Sequence, residues 1–247
     1  LQYAVRAGWL DAAEQRPILD AFDRFARTHL VDETGAVFED SFHRTPHRLY
    51  NFPWLARFYW NQFRLWRQPA DLDLSVRIVD RYYELGGLKF LAFWGEWIGA
   101  LIDTLIAEQR TGEAARVTQH LVDHTAYFLK LDQDLPKHEV NYEQTVVAPL
   151  VLLLEETRRR RPETVPAEAL IERMRWLMAF GGEQPHVRLR HIALRHWDGF
   201  WFGAYRQWGD IMPHYWTVQT AAALLHWPDD LPFDLDRAER RRRAAAI

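Results

Sequence analysis

The sequence predicts an all-α protein built from stacked antiparallel helical hairpins. Apolar residues recur at helical spacing in one segment after another, and the alternation typical of strands is nearly absent. Pairs of glycine at 86–87 and 181–182 stand where helical runs end. Short turns alternate with long loops, as in helices that fold back on their neighbours. We expect the long loops to gather at one end of the bundle and to carry the functional site.

The first half of the chain predicts helices near residues 10–30, 51–66, 71–85 and 93–109. Residues 31–48 are predicted to be a loop. Asn51 is placed to cap the second helix, because an Asn side chain accepts hydrogen bonds from the free N–H groups there. Pro53 then falls in the first turn, where a missing N–H is tolerated. Gly86 and Gly87 close the third helix.

The second half predicts helices near residues 112–129, 140–160, 167–180 and 211–225. Thr111 and Asn141 are the expected caps of the first two. The last helix is expected to begin at Ile211, where an apolar periodic run follows Asp210. The tail turns acidic and then basic, and its ERRRR run at 239–243 is typical of a solvated surface.

Composition narrows the functional classes. The chain has 247 residues, 48% of them hydrophobic and 26% charged, with a formal net charge of −3. We therefore expect one globular domain over 1–247 and no nucleic-acid partner. Cysteine is absent, which excludes disulfides, thiolate metal sites and cysteine nucleophiles. The longest apolar run, 145–154, is too short to span a membrane.

Cofactor motifs are also absent from the sequence, which has no phosphate loop and no dinucleotide fingerprint. We expect no cofactor and no membrane partner. We expect a cytoplasmic protein, with export left open because the sequence does not begin with methionine.

The candidate site centres on residues 184–215, which are aromatic, charged and interrupted by glycine. An ordinary core segment is aliphatic and poor in charge, so this stretch is predicted to be a functional loop. The alternative is an ordered loop that plugs one end of the bundle. Tryptophan and histidine beside carboxylates suit a polar ligand with flat apolar faces, which favours a sugar over a lipid or a nucleotide.

Four carboxylates are the candidate catalytic groups. Asp198 and Asp210 each lie close to a Trp and a Gly, where local burial can keep one carboxyl group protonated while the other stays ionised. The alternative for Asp210 is an N-cap of the helix predicted to follow it. Glu139 and Glu143 form a second acidic pair, four residues apart.

Side chains in and around these loops are the candidate substrate contacts. Arginine suits bidentate binding of a sugar carboxylate, and aromatic rings suit stacking on a sugar face. The alternatives are arginines paired with the acidic residues and an aromatic stripe buried in the core. The set is Tyr50, Trp54, Arg57, Glu96, His138, Tyr142, Arg188, Arg195, His196, Trp197, Trp201, His214 and Tyr215.

No metal is expected at two segments that resemble metal motifs. HEVNY at 138–142 has Tyr142 where a zinc H-E-x-x-H motif requires histidine. His120 and His124 have ligand spacing on one helical face, but no aromatic cluster accompanies them. A solvated or half-buried face is favoured there.

Three segments resemble bacterial six-hairpin glycosidases, which are (α/α) toroids related to unsaturated glucuronyl hydrolases and β-glucuronidases. They are YNFPWLARFY at 50–59, HEVNYEQTVVAP at 138–149, and RHWDGFWFG with WGDIMPHYW within 195–216. The resemblance implies an (α/α) toroid, incomplete in this chain because eight helices make only four hairpins. The chain is therefore expected to be a fragment of a longer protein.

The resemblance also implies a glycoside hydrolase that acts on uronic-acid-containing oligosaccharides. Such hydrolysis needs an acid for the leaving oxygen and a base or nucleophile opposite it. Asp198, in the more apolar setting, is assigned as the proton donor, and Asp210 as the base, stabilised by the N-terminus of its own helix. The loops with Tyr50, Glu139 and Asp198 are expected to open onto one cavity.

Two other functions fit the same residues. A polysaccharide lyase on the same toroid would use a Tyr or His as the base that removes a proton next to a uronate carboxylate. Tyr50, Tyr142, His196, His214 and Tyr215 are available for this role. A non-catalytic carbohydrate-binding module would instead present aromatic residues on one open face, without convergent carboxylates.

Overall fold

Helices form nearly all of the secondary structure that the computed structural model describes. The described residues are 1–42, 44–45, 48–91, 94–135, 144–179, 194–196, 211–213 and 218–247. The helices of the first half are α1 (Gln2–Arg6), α2 (Ala12–Phe25), α3 (Asn51–Trp66), α4 (Pro69–Glu84), α5 (Trp94–Ala107) and α6 (Thr111–Leu131). Those of the second half are α7 (Gln144–Arg160), α8 (Ala167–Ala179), α9 (Val218–His226) and α10 (Arg237–Ala246).

The remaining regular elements are short. A π-helical turn at Ala26–Leu30 extends α2, and 3₁₀ turns lie at Gly87–Lys89 and Pro162–Thr164. Strands β1 (Leu194–His196) and β2 (Ile211–Pro213) pair antiparallel, and the described residues contain no larger sheet. The predicted all-α class is confirmed. No helix in the described part of the chain combines the length and apolar character that a membrane crossing requires.

Two compact units divide the chain, and the division runs through α5 and α6. One comprises residues 1–92 and 101–120, and the other comprises 93–100 and 121–247. Each unit is described below by itself. The single domain over 1–247 stays a prediction.

The first unit is built on the antiparallel hairpin of α3 and α4. Apolar side chains of α3 recur on one face and are almost fully buried, among them Phe52, Tyr59 and Phe63. The two helices pack so closely that the buried hydroxyl of Ser75 on α4 donates a hydrogen bond of 2.8 Å to the carbonyl oxygen of Ala56 on α3. The hairpin closes at Arg67, whose left-handed backbone (φ 57°) ends α3 two residues before α4 begins.

A second layer of contacts stacks α5 and α6 beside this hairpin. The indole of Trp60 on α3 donates to the Thr104 hydroxyl on α5, at 3.0 Å. Asp73 of α4 pairs with Arg110, which directly precedes α6, and Asp80 of α4 pairs with Arg116 further along α6. The order of these pairs makes α4 and α6 parallel. The stacked helix pairs that the predicted fold requires are therefore present in this unit.

The second unit places α7 at its centre. Residues 150–154 of α7 are all buried, and the helix packs against both α8 and α9. Beside it, the hydroxyl groups of Thr125 on α6 and Thr157 on α7 lie 2.6 Å apart in the interior. The C-terminal α10 packs against α9, and Arg240 on α10 pairs with Asp229 at 3.0 Å.

Two predicted caps are wrong, although the helices themselves are correct. Asn51 is the first residue of α3, not its cap, and its amide donates to the carbonyl oxygens of Phe38 and Glu39. The loop before α3 folds back on the helix start and uses that amide. Thr111 is already inside α6, and the carbonyl of Arg110 accepts the first helical hydrogen bond, from Ala114. The predicted cap Asn141 lies outside the described residues.

The predicted helix start at Ile211 is also wrong. Residues 211–213 form β2, and α9 begins only at Val218. Proline has no backbone N–H and favours extended backbone at the residue before it, so Pro213 disfavours helix at Met212. The pairing of β2 with β1 uses that extended conformation. Asp210 is therefore not the N-cap of a helix that begins at Ile211, and no such helix stabilises its anion.

Candidate functional site

The predicted site residues differ in how much of each the structure describes. Side chains are described for Tyr50, Trp54 and Arg57. Glu96 lies in α5, and Arg195 and His196 lie in β1; only the backbone of these three residues is described. The remainder lie outside the described residues: Glu139, Glu143, Asp198, Asp210, His138, Tyr142, Arg188, Trp197, Trp201, His214 and Tyr215. The cavity shared by the loops of Tyr50, Glu139 and Asp198 stays a prediction.

The pair of short strands frames the most site-like segment of the sequence. In its register Leu194 is opposite Pro213, Arg195 is opposite Met212, and His196 is opposite Ile211. Residues 197–210, which connect the strands in sequence, include both predicted catalytic aspartates. The backbone pairing thus places His196 and Ile211, the residues that flank this segment in sequence, opposite each other.

The start of α3 carries one exposed aromatic residue beside buried ones. Tyr50 is half-buried, and its ring meets that of Phe90 edge-on, with centroids 5.6 Å apart. The side chain of Trp54, one turn later, is 56% exposed. Tyr59 and Trp60 are buried, so the core interpretation of this aromatic stripe holds for them and not for Trp54. A half-open indole is suited to stacking on a sugar ring.

Arg57 lies on the side of α3 that receives α1. Gln2 of α1 donates to the carbonyl oxygen of Phe58 at 2.9 Å, and Arg6 donates to Oδ1 of Asn61 at 2.7 Å. The guanidinium group of Arg6 also lies 5.8 Å from the ring centre of Trp60. These contacts place Arg6 close to Arg57.

A third arginine completes this cluster. The guanidinium of Arg64 lies 4.7 Å from the ring centre of Trp60, on the same indole as Arg6. Burial, and then the charge of Arg57, lower the pKa of Arg6, while burial and the charge of Arg6 lower the pKa of Arg64. Arg6 is thus close enough to both Arg57 and Arg64 for their like charges to repel. Within the described residues, none of the three has a carboxylate at ion-pair distance.

Other candidate sites in the described residues are weaker. A cleft between α8 and the segment that precedes α10, lined by Ile171, Arg175 and Phe233, has a volume of about 140 Å³. Ligand pockets usually measure about 300–1,000 Å³, so this cleft is small for an oligosaccharide. Among the described residues, no group of three or more His, Asp or Glu side chains is arranged to hold a metal ion.

The sequence analysis selected Arg57 as a candidate substrate contact but did not select the neighbouring Arg6 and Arg64. The sequence does contain one signal for this cluster: Arg57, Asn61 and Arg64 on α3 are spaced four and three residues apart, so they share one face of the helix. No local pattern connects that face with α1. The docking of α1 on α3 depends on hydrogen bonds between residues far apart in the sequence, such as that between Arg6 and Asn61.

Comparison with solved structures shows a likeness in fold. No family model matches the sequence, and no curated protein matches it either. Among solved structures, the chain superimposes on a polysaccharide lyase with a TM-score of 0.76 and 25% sequence identity. The two share a fold. The match covers 90% of this chain and 33% of the lyase, so this chain spans about a third of that protein's length.

Proposed function

We propose that this chain is part of an enzyme that degrades uronic-acid-containing polysaccharides by β-elimination. The likeness to a polysaccharide lyase over 90% of the chain supports this most directly. The exposed indole of Trp54, next to the half-buried Tyr50 at the start of α3, supports a sugar ligand. The structural likeness favours elimination over the hydrolysis that the sequence resemblance implied.

In this reaction, a base removes the proton from the carbon next to the uronate carboxylate. The bond from the neighbouring ring carbon to the glycosidic oxygen breaks, a carbon–carbon double bond forms, and an acid protonates the leaving oxygen. Tyr50, Tyr142, His196, His214 and Tyr215 are the candidate bases or acids. Arg57 or Arg195 would bind the carboxylate and stabilise the negative charge that develops on it.

Glycoside hydrolysis is the second candidate, with Asp198 as the acid and Asp210 as the base. The pairing of His196 with Ile211 supports it, because Asp198 follows His196 by two positions and Asp210 directly precedes Ile211. Carboxyl groups roughly 5–5.5 Å apart would indicate retention of configuration, and groups roughly 6.5–9.5 Å apart would indicate inversion.

The deciding experiment supplies uronic-acid polysaccharides to the whole protein and follows two signals together. Reducing ends report every cleavage, while absorbance at short ultraviolet wavelengths reports only the unsaturated sugar that a lyase produces. Elimination predicts that both signals rise in step. New reducing ends without absorbance would show hydrolysis and overturn the lyase proposal, and loss of absorbance from unsaturated oligosaccharides would show an unsaturated-uronyl hydrolase.

Variants then assign the roles. Under elimination, Tyr50→Phe should lower turnover by about 10²–10⁴ if Tyr50 is the base or acid, while the half-buried Tyr127→Phe serves as control. Under hydrolysis, Asp198→Asn and Asp210→Asn should each lose a similar factor. Asp20→Asn removes a carboxylate from an exposed pair with Arg16 and should leave turnover unchanged.

A further inference from the structure

The arginine cluster of the first unit runs along one face of α3. Arg57 and Arg64 are seven residues apart, which places them two turns and about 10 Å apart along the helix axis. The hydrogen bond of Arg6 to Asn61 brings a third guanidinium in between. The cluster therefore presents three cations in a row, not a single point of charge.

The three arginines of this cluster have no carboxylate partner among the described residues, whereas four other arginines around the same helices are paired. Arg27 pairs with Asp71, Arg67 with Glu108, Arg110 with Asp73, and Arg116 with Asp80. Unit positive charges that are not neutralised by the protein repel one another, and a bound anion removes that repulsion. Arginine is also the side chain whose planar fork matches a carboxylate with two parallel hydrogen bonds.

Two exposed aromatic rings lie beside the cations. Tyr3 is 63% exposed and Trp9 is 71% exposed, and their rings meet edge-on at 5.5 Å. Tyr3 lies close enough to Arg6 to oppose slightly the lowering of its pKa by burial and by Arg57. Gly8 (φ 73°) makes a tight turn after α1, and the Trp9 N–H then donates to the carbonyl of Ala4 at 2.9 Å, which positions the indole.

We propose that Arg6, Arg57 and Arg64, together with Tyr3 and Trp9, form a binding surface for an anionic polysaccharide. Carboxylate groups of successive uronic acid residues bind the guanidinium groups, and a sugar face stacks on the indole of Trp9. A polysaccharide is favoured over a nucleic acid as the ligand, because nucleic-acid-binding domains are usually basic and this chain carries a net charge of −3. The choice of uronic acid rests on the proposed function.

Calorimetry with the whole protein tests this surface without any need for turnover. The probes are an oligogalacturonate, a neutral dextran oligosaccharide of the same length, and a single-stranded DNA of similar charge. The double variant Arg6→Gln/Arg64→Gln and the single variant Trp9→Ala are compared with the control Arg24→Gln/Arg77→Gln. The control removes two exposed arginines, one on α2 and one on α4, that have no ion pair among the described residues.

We expect oligogalacturonate to bind more tightly than dextran and DNA. Its affinity should fall by roughly tenfold or more for each arginine removed, as for charge-assisted hydrogen bonds. Trp9→Ala should weaken oligogalacturonate binding and leave the melting temperature unchanged, because the indole is exposed. The control pair should retain wild-type affinity.

Equal weakening by the control variant, or equal binding of DNA and oligogalacturonate, would overturn the proposal and leave only non-specific attraction of polyanions. Unchanged affinity in Arg6→Gln/Arg64→Gln, with a wild-type melting temperature, would overturn it as well. The proposed function is tested separately. If the protein cleaves no uronic-acid polymer but still binds oligogalacturonate through these arginines, the proposed activity is refuted and the proposed binding surface is retained.

Discussion

The Nε2 atom of His120 on α6 lies 3.0 Å from Oδ1 of Asp80 on α4, and the imidazole ring stacks on Tyr83 with centroids 4.5 Å apart. Arg116, one turn earlier on α6, donates to the same carboxylate at 2.9 and 3.1 Å. His120 is thus half-buried and hydrogen-bonded to a carboxylate. One aspartate therefore joins two helices of neighbouring hairpins.

Asp80→Asn should lower the free energy of unfolding by about 1.5–3 kcal/mol at pH 7, as expected for hydrogen bonds to a charged group. Burial alone would raise the pKa of Asp80, but hydrogen bonds from His120 and Arg116 outweigh it and hold the pKa below its ordinary value. The stabilisation is therefore present above the unfolded pKa and lost as the pH falls through the folded one.

Urea denaturation of both proteins at pH 7 and pH 3 measures this. The difference between wild type and Asp80→Asn should shrink at pH 3. Asp73→Asn, which removes the more exposed carboxylate that pairs with Arg110, is the control and should cost less. A difference that is the same at both pH values would contradict the role assigned to Asp80.

The second prediction concerns Glu155 of α7, which is buried and has no hydrogen-bond partner for either carboxylate oxygen among the described residues. Burial raises the pKa of Glu155 well above its ordinary value, although the charge of Arg240 opposes the shift. The folded state then holds this proton more tightly than the unfolded chain. The contribution of Glu155 to the free energy of unfolding is therefore full below the unfolded pKa of about 4.5 and falls progressively as the pH rises above it.

Glu155→Gln should remove that pH dependence, because an amide does not ionise. Between pH 5 and pH 8 the free energy of unfolding of the variant should therefore increase relative to that of the wild type, as measured by urea denaturation. Glu163→Gln changes an exposed carboxylate in the turn before α8 and should follow the wild type. If Glu155→Gln and wild type show parallel curves over this range, the carboxyl group is not protonated in the fold.

Local signals were sufficient to predict α3 and its boundaries. Its apolar side chains recur on one face, Pro53 falls in the first turn, and the observed helix is Asn51–Trp66, as predicted. Nothing outside the segment is needed to read these features. The same holds for the end of α4, where Gly86 has a φ of 92°.

Contacts between distant residues explain what the sequence did not reveal. The ERRRR run was predicted to be a solvated surface, yet it lies in α10 and its Arg240 is buried at 7% exposure. The charge of Arg240 lowers the pKa of Glu155 on α7, and no local pattern in the tail contains that partner. The strand at Ile211 was missed for the same reason, because its pairing partner β1 is a separate segment.

The candidate site follows the same division. Arg57 was selected because its residue type suits a sugar carboxylate, which is a property of one side chain. Arg6 was missed because its position beside Arg57 depends on α1 docking on α3. The predicted base role of Asp210 in hydrolysis also loses one supporting argument, since Ile211 begins a strand and not a helix.

The third prediction uses the buried hydroxyl pair of the second unit. Thr157 donates to the carbonyl oxygen of Leu153 at 2.9 Å, so Thr125 must donate to Thr157 across their 2.6 Å contact. Thr157→Val leaves the buried Thr125 donor without an acceptor and should cost about 1–3 kcal/mol. Thr125→Val leaves Thr157 hydrogen-bonded to Leu153 and should cost less.

The double variant Thr125→Val/Thr157→Val tests the coupling by chemical denaturation. It should be no less stable than Thr157→Val alone, because removing both hydroxyl groups leaves no unsatisfied donor. Additive losses from the two single changes would show that the hydroxyl groups do not interact.

The last prediction concerns Gly99 on α5, where the helix meets α7. A Cβ atom at this position would overlap the carboxylate of Glu156. That carboxylate is held by Arg159 and Arg160, and Arg160 also donates to the carbonyl oxygen of Gly99 at 2.5 Å. The Glu156 carboxylate therefore has little freedom to move away from a new side chain at position 99.

Replacing Gly by Ala inside a helix normally stabilises by roughly 0.5–1 kcal/mol, since Ala loses less backbone freedom on folding. Gly99→Ala should instead destabilise, because the new methyl group displaces Glu156 and disturbs its pairing with Arg160. Gly112→Ala, in the first turn of α6 with no atom within 4 Å of the new Cβ, is the matched control and should stabilise. Melting temperatures that rise for both variants would show that Glu156 moves aside freely and that the approach of α7 to α5 does not require glycine.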